Sequence, residues 1–528
     1  MVHHHDRNIY RKKDPGDTSA FSAYAPGPLV VCSTNPRYFT VATDSPVEQK
    51  AIYLTGSHIW NNFHDGLGPG LACSDEPERN DYSAYLTFLK EHGHNFIRLW
   101  RWEQFKSQAV PANFHLCMTP QPWLRTGPGL ASDGKPRFDL SRFDPFYFAR
   151  LRDRIIAAGQ KGIYVSVMLF DGFGLHLSQA PDHVEGHPFF VTNNVNGAAL
   201  TSINDYQVLP LDPGIQALQG AYIRQVIDTV ADLPNVLYEV ANESAGGGHV
   251  DQAFADVLGL SAPPFWGDST AWQYGVIEFV KQYERQMGYS QHPIGMTMQF
   301  PVPDQSQVNE VLFNSPADWI SPGDDELFEP GQPPEDETAR SASLWFTNPP
   351  EHIGGKVVLT DTDHYAAGRG DALWAWKSFL RGHHPILMDF GIIDVSNPLD
   401  PSFGVPSYES LEPARFAMGD TLRFASRVKL IAMAPRSDLS STSYALANPG
   451  KEYLVLQPTE ALSPFTVTLE AGTYAIEWFS VSSSQTIADG EIVIERLGAS
   501  TFTPEASLTG PFVLYLKRRE HAGDEARA

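Results

Sequence analysis

Short apolar runs that finish on polar residues alternate along this chain with segments whose apolar positions recur every three to four residues. The first kind predicts strands at 51–60, 95–102, 163–171, 235–244, 292–300, 318–322, 356–364 and 384–390. The second predicts helices at 81–93, 144–162, 214–234, 272–287 and 372–382, the first of them stopped by Gly93. Strands separated by helices favour a parallel sheet. Eight such units over roughly 370 residues predict a (β/α)8 TIM barrel with long loops. A doubly wound open sheet would carry a glycine-rich phosphate loop after its first strand, and there is none.

One more amphipathic segment, 412–428, reads as a last helix packed on the barrel. The texture then changes. Residues 440–518 hold short alternating runs, such as "EYLVLQ", "FTVTLE" and "FVLYLKR", separated by turn residues such as Asn448-Pro449-Gly450. That pattern predicts a smaller C-terminal antiparallel β-sandwich domain. The expected organisation is an N-terminal tail (1–28), the barrel (29–430), the sandwich (431–518) and a C-terminal tail (519–528).

Composition narrows the function. Apolar residues make up 42% and charged residues 19% of the 528, as in ordinary folded domains. A net charge of −24 argues against nucleic acid or an anionic membrane as partner, since both require basic patches. No apolar run is long enough to span a bilayer. Three cysteines (Cys32, Cys73 and Cys117) do not suggest a disulfide framework. The N-terminus lacks the apolar core of a secretory signal, so the expected location is the cytoplasm unless a leader has been removed. The sequence carries no signal for oligomeric state.

Active sites of such barrels lie where the strands end, so the closing residues are the informative ones. The first strand offers His58, Trp60 and Asn61, and the second offers Arg98 and Trp100. The third ends on Asp171, the fourth on Asn242-Glu243, the seventh on Asp361-Thr362-Asp363-His364 and the eighth on Asp389. Tryptophans near one rim suit a flat sugar face. Glu239 lies four residues before Glu243 on the same strand face and reads as a structural partner for Arg98. Asp171 and Asp389 read equally well as caps of the following loops. No H-E-x-x-H or comparable spacing is present, so neither a metal nor a cofactor is expected.

Strands four and seven lie across the ring from each other, so their terminal carboxylates face one another over the mouth. Two opposed carboxylates are what glycosidic bond cleavage needs: one protonates the leaving oxygen, and the other attacks the sugar carbon or activates water. Asn242, beside Glu243, is placed for a sugar 2-hydroxyl. A fourth strand ending Asn-Glu resembles the large superfamily of (β/α)8 glycosidases, clan A. More narrowly, "NPRYFTV…AIYLTGSHIWNNFHD" (35–65) resembles the opening of apiosidase-like and cellulase-like DUF4038-type barrels. "YALANPGKEYLVLQ" and "GTYAIEWFSV" resemble the C-terminal sandwich, named for collagen binding, that such barrels carry. The resemblance implies Glu243 as acid/base and a carboxylate ending strand seven as nucleophile, with retention of configuration. The superfamily usually has Glu at that second position, whereas this chain has Asp361 and, two residues on, Asp363. Alignment favours Asp361, and Asp363 is the alternative. His58, Trp60, Asn61, Arg98, Trp100, Asp171, Asn242, His364 and Asp389 are the expected substrate-binding residues.

The expectation is therefore an O-glycosyl hydrolase acting on an oligosaccharide or glycoside. Long loops at 105–142 and 174–212 that wall a blind pocket would favour exo action. The alternatives are a non-catalytic carbohydrate-binding barrel and a metal-dependent hydrolase using Asp361, Asp363 and His364.

Overall fold

The computed structural model describes residues 24–42, 49–69, 80–109, 114–176, 184–249, 266–325, 343–366, 368–392 and 406–519. Eight parallel strands form one sheet: β1 (Gly56–His58), β2 (Phe96–Leu99), β3 (Tyr164–Asp171), β4 (Val236–Asn242), β5 (Ile294–Thr297), β6 (Trp319–Ser321), β7 (Val357–Asp361) and β8 (His384–Met388). Their order is β1-β8-β7-β6-β5-β4-β3-β2, which brings the first two strands to the closing seam. Side chains bridge that seam. Asn95 Oδ1 accepts from the Thr55 N–H at 2.9 Å, and Asn62 links the Arg98 carbonyl (2.6 Å) to the Trp100 N–H (2.9 Å). The fold is the expected TIM barrel. Each strand is buried throughout its length, which explains their near-continuous apolar runs.

Helices cover the outside: α1 (Tyr82–Glu91), α2 (Pro145–Gly159), α3 (Pro213–Val230), α4 (Thr270–Met287), α5 (Ala372–Leu380) and α6 (Tyr408–Arg427). Local chemistry sets their starts. Asp81, Asp144, Asp212 and Asp371 each accept a backbone N–H of the first turn of α1, α2, α3 and α5. Gly288 ends α4 in the left-handed region, at φ 69°.

The bottom of the barrel is plugged by a hairpin, Leu29–Val31 with Phe39–Val41, whose Leu29 and Phe39 pack against Phe96, Leu237, Trp319 and Val357. The expected tail ends sooner than residue 28. Ala25 is buried and donates its N–H to Gly159, and the Tyr164 hydroxyl donates to Pro26 at 2.6 Å. Residues 1–23 and 520–528 lie outside the described residues.

The expected loop at 105–142 is largely built of strands. Ser107–Ala109, Phe114–Thr119 and Asp65–Pro69 form one small sheet, and Trp123–Leu130 pairs with Pro136–Phe143. Cys117 is disulfide-bonded, whereas Cys32 is a free buried thiol, so the odd cysteine count concealed a covalent link.

The C-terminal region holds β9 (Ala434–Pro435), β10 (Ala445–Asn448), β11 (Glu452–Gln457), β12 (Phe465–Leu469), β13 (Gly472–Ser480), β14 (Thr486–Ile494), β15 (Gly498–Phe502) and β16 (Phe512–Arg518). Six make an antiparallel sheet in the order β9-β10-β11-β16-β13-β14, and β12 pairs with β15. The alternation of β12 buries Phe465, Val467 and Leu469 against Tyr453, Trp478 and Leu514. The other side of the larger sheet lies on the barrel, where Phe479 meets Trp376 of α5 at 5.4 Å and Phe424 of α6 at 5.1 Å. This apolar seam braces the two last helices.

Candidate active site

The floor of the mouth is a buried cation. Arg98, on β2, is 1% exposed. Its Nε and Nη2 reach the two oxygens of Glu239 at 3.0 and 2.5 Å. Nη1 donates to Asp361 Oδ2 at 2.9 Å, and Nη2 also donates to Asn242 Oδ1 at 2.7 Å. Paired, planar hydrogen bonding of this kind is what arginine provides and lysine does not. The inferred Arg98–Glu239 partnership is present, and the same guanidinium also organises strands four and seven. His58 completes the floor. Trp100 Nε1 donates to His58 Nδ1 at 2.7 Å, which puts the imidazole proton on Nε2, 2.6 Å from Asp361 Oδ2. Burial raises the pKa of Asp361, but His58 and Arg98 outweigh it and hold this carboxyl well below the usual range.

Above the floor stand two further carboxyls. Glu243 follows the last residue of β4 and has φ 47°, a left-handed conformation that costs a non-glycine residue about 1–2 kcal/mol. The Thr297 hydroxyl sits beneath that kink, donating to the Ala241 carbonyl at 2.8 Å and accepting the Glu243 N–H at 3.3 Å. Such strain is retained where a side chain must be aimed. Asp363 sits in the turn after β7. Carboxylate oxygens of Glu243 and Asp363 come within 4.8 Å of each other. Burial, and then the charge of Asp363, raise Glu243 well above its ordinary value. Burial and the charge of Asp361 push Asp363 up to about 8. Two carboxyls this close in a dry site do not both ionise readily, so they hold a proton between them at neutral pH.

Asn242 lies beside them. Its Oδ1 is fixed by Arg98 and by His364 Nε2 at 3.3 Å. Its Nδ2 is buried and has no hydrogen-bond acceptor among the described residues. A buried donor left in this way invites a ligand oxygen. Among the described residues, Glu243, Asp363 and His364 are the one group spaced to hold a cation. The imidazole does not fit that use. Nε2 faces Asn242 Oδ1, an acceptor, and therefore carries the proton, while Nδ1 lies 2.9 Å from the Ser321 hydroxyl. Burial and nearby Arg98 lower His364 to about 3, so the ring is neutral with neither lone pair turned to a metal.

An aromatic wall flanks this polar patch. Trp60 is partly exposed and meets Phe390, Trp102 and Phe173 with ring centroids 4.9, 5.8 and 6.3 Å away. Asn61 is also partly exposed, and its Oδ1 has no donor among the described residues. Trp100 is sealed behind them, stacked on His58 and under the Arg98 cation at 5.1 Å. It supports the floor and does not face the mouth.

Two more expected substrate residues turn away. Asp389 is fully buried, with both oxygens 2.7 Å from Arg415 of α6. Asp171 is fully buried, accepts the Gly174 N–H and caps the short helix Phe173–His176. Both are anchors of the loops that follow their strands. Phe173, Phe390, Thr297 and Ser321 went unnoticed in the sequence. Phe173 and Phe390 each lie within two residues of a strand end, a position that marks them for the rim; the two hydroxyl residues carry no such signal.

In sequence, residues 112–260 match a domain of unknown function (DUF6298). No curated protein matches the chain. In structure, the chain is similar to a solved protein titled "Glycoside hydrolase", with a TM-score of 0.54, 14% identity, and 94% of this chain and 98% of that one covered. It is also similar to a glycoside hydrolase family 5 protein from Bacteroides vulgatus, with a TM-score of 0.52, 12% identity, and 94% and 95% covered. At such identities the likeness establishes the fold, a TIM barrel with an appended sandwich.

Proposed function

We propose that this chain is a glycoside hydrolase, with Glu243 as general acid/base facing the acidic end of β7. The observation that carries the reading is the close pair of carboxyls at the mouth, beside the unmet Nδ2 of Asn242. A proton held between them supplies the acid for the leaving oxygen, and the ionised partner supplies the nucleophile. An approach within 4.8 Å suits the roughly 5–5.5 Å carboxyl separation of retaining enzymes better than the wider gap that admits a water. The Asn242 amide is placed for the 2-hydroxyl, and Trp60 for an apolar sugar face. That both structural relatives bear glycoside hydrolase titles supports the same class. The residues at 35–65 support a closer kinship with apiosidase-like barrels, and the length of the segments at 105–142 and 174–212 is what favours exo action. The disulfide at Cys117 favours an oxidising compartment over the cytoplasm, since such links seldom persist in a reducing one.

The test is a panel of aryl pyranosides and furanosides offered to the wild type and to Glu243→Gln. Hydrolysis of at least one glycoside is expected. For poor leaving groups the variant should be slower by about 10²–10⁴-fold with an unchanged circular dichroism spectrum. Sugar binding by calorimetry without turnover would favour the carbohydrate-binding alternative.

A further inference from the structure

We propose that the attacking carboxylate is Asp363, in the turn beyond β7, and that Asp361, the strand's last residue, is a positioning residue. The inference rests on the glycosidase reading and goes against the alignment, which favours Asp361.

The two aspartates are in different situations. Asp361 has both oxygens occupied: Oδ2 accepts from Arg98 Nη1 (2.9 Å) and lies 2.6 Å from His58 Nε2, and Oδ1 accepts the backbone N–H of Asp363 (3.0 Å). Its side chain is 1% exposed. An approaching sugar carbon would have to displace hydrogen bonds to a desolvated cation, which is costly. The Asp363 side chain is 11% exposed, and Arg98 Nη1 stands 3.9 Å away, beyond hydrogen-bond reach. Its carboxylate comes within 4.8 Å of that of Glu243. By accepting the Asp363 N–H, Asp361 also fixes the turn that presents Asp363 to the mouth.

In the first step an Asp363 oxygen bonds to the anomeric carbon while the C–O bond to the leaving group breaks and the Glu243 proton passes to that oxygen. In the second, water attacks the same carbon, its proton goes to Glu243, and the bond to Asp363 breaks. Nothing is oxidised or reduced, and no further reactant is required. Asp361 stays ionised throughout and keeps Arg98 and His58 in place.

The full-length protein is treated with the 2,4-dinitrophenyl 2-deoxy-2-fluoro analogue of the glycoside that the wild type cleaves fastest. Fragment-ion mass spectrometry then locates the label between residues 357 and 366, and a label on Asp363 is expected. Asp363→Ala should lose at least about 10³-fold in kcat and regain activity in azide, yielding a glycosyl azide. Asp361→Asn should lose less and gain nothing from azide. Its pH profile supplies a readout that a merely structural role would not move. The groups facing Asp363 are Arg98, Glu239, Glu243, Asp361 and His364, with His58 beside Asp361. Removing the Asp361 charge lets Asp363 ionise at lower pH, so the acid limb of kcat/KM shifts to lower pH. A label on Asp361, azide rescue of Asp361→Ala, or rescue of neither alanine variant overturns the assignment and leaves the glycosidase reading standing. A wild type inert on every glycoside removes both.

Discussion

Replacing Arg98 by methionine tests the physical core of the site. The substitution keeps much of the side-chain volume and deletes four hydrogen bonds, to Glu239, Asp361 and Asn242. Two carboxyls, each at most 1% exposed, then lose their shared cation. Stripping one partner from a buried ion pair costs about 3–5 kcal/mol. Unfolding entropy of about 2 cal/mol/K per residue gives roughly 0.8 kcal/mol/K for a barrel of about 400 residues, so the melting temperature should fall by about 4–6 °C. The deficit has a definite pH dependence. In the wild type, Asp361 is held below its unfolded value by His58 and Arg98 against the opposing effect of burial. Its stabilisation is therefore present above the unfolded pKa of about 3.9 and is lost as pH falls through the lower, folded value. Without Arg98 that depression shrinks, so the gap between wild type and variant should be wide from pH 7 down to about pH 4 and narrow only below that, towards about pH 2. Urea denaturation followed by tryptophan fluorescence across this range measures it. A gap below about 1 kcal/mol at pH 7, or one that does not change with pH, would refute the reasoning.

Three further outcomes are expected. Glu243 and Asp363 have carboxyls raised above their unfolded values, so their burial costs stability as pH rises from about 4 through the folded values; Glu243→Gln should be more stable than wild type by about 1–2 kcal/mol at pH 8 and by little at pH 4, read by the same denaturation. Asp389→Asn should lose about 3 kcal/mol or more of stability because Arg415 is left half-paired in the interior, while kcat/KM per folded molecule stays within about threefold. Trp60→Ala removes the partly exposed face of the aromatic wall and should raise KM by about five- to tenfold, from the loss of roughly 1 kcal/mol of ring contact, with little change in kcat.

The barrel was legible because its signal is local. Buried parallel strands are short apolar runs, and capping aspartates mark where four of the helices begin. Arg98 and Glu239 were legible as partners because two-residue periodicity holds inside β2 and β4. It fails at the strand ends, where the chemistry lies. Asp361 and Asp363 would share a face only if the strand continued, and β7 stops at Asp361. Glu243 owes its direction to a left-handed kink that no alternation reveals. Asp389 read as a rim residue because its partner, Arg415, comes from the next helix, a pairing visible only once α6 is docked. The ribbons within 65–143 were missed for a related reason: some of their strands are short, others carry glycine and proline, and one of them pairs with a segment some fifty residues earlier.

The claim at the centre of this account is that two side chains flank a glycosidic bond closely enough to form a covalent intermediate. Proton NMR of the first-formed sugar, recorded before mutarotation, tests it directly. A product with the anomeric configuration of its substrate is expected; an inverted product would mean that water enters from the far side and that the close pair at the mouth does other work.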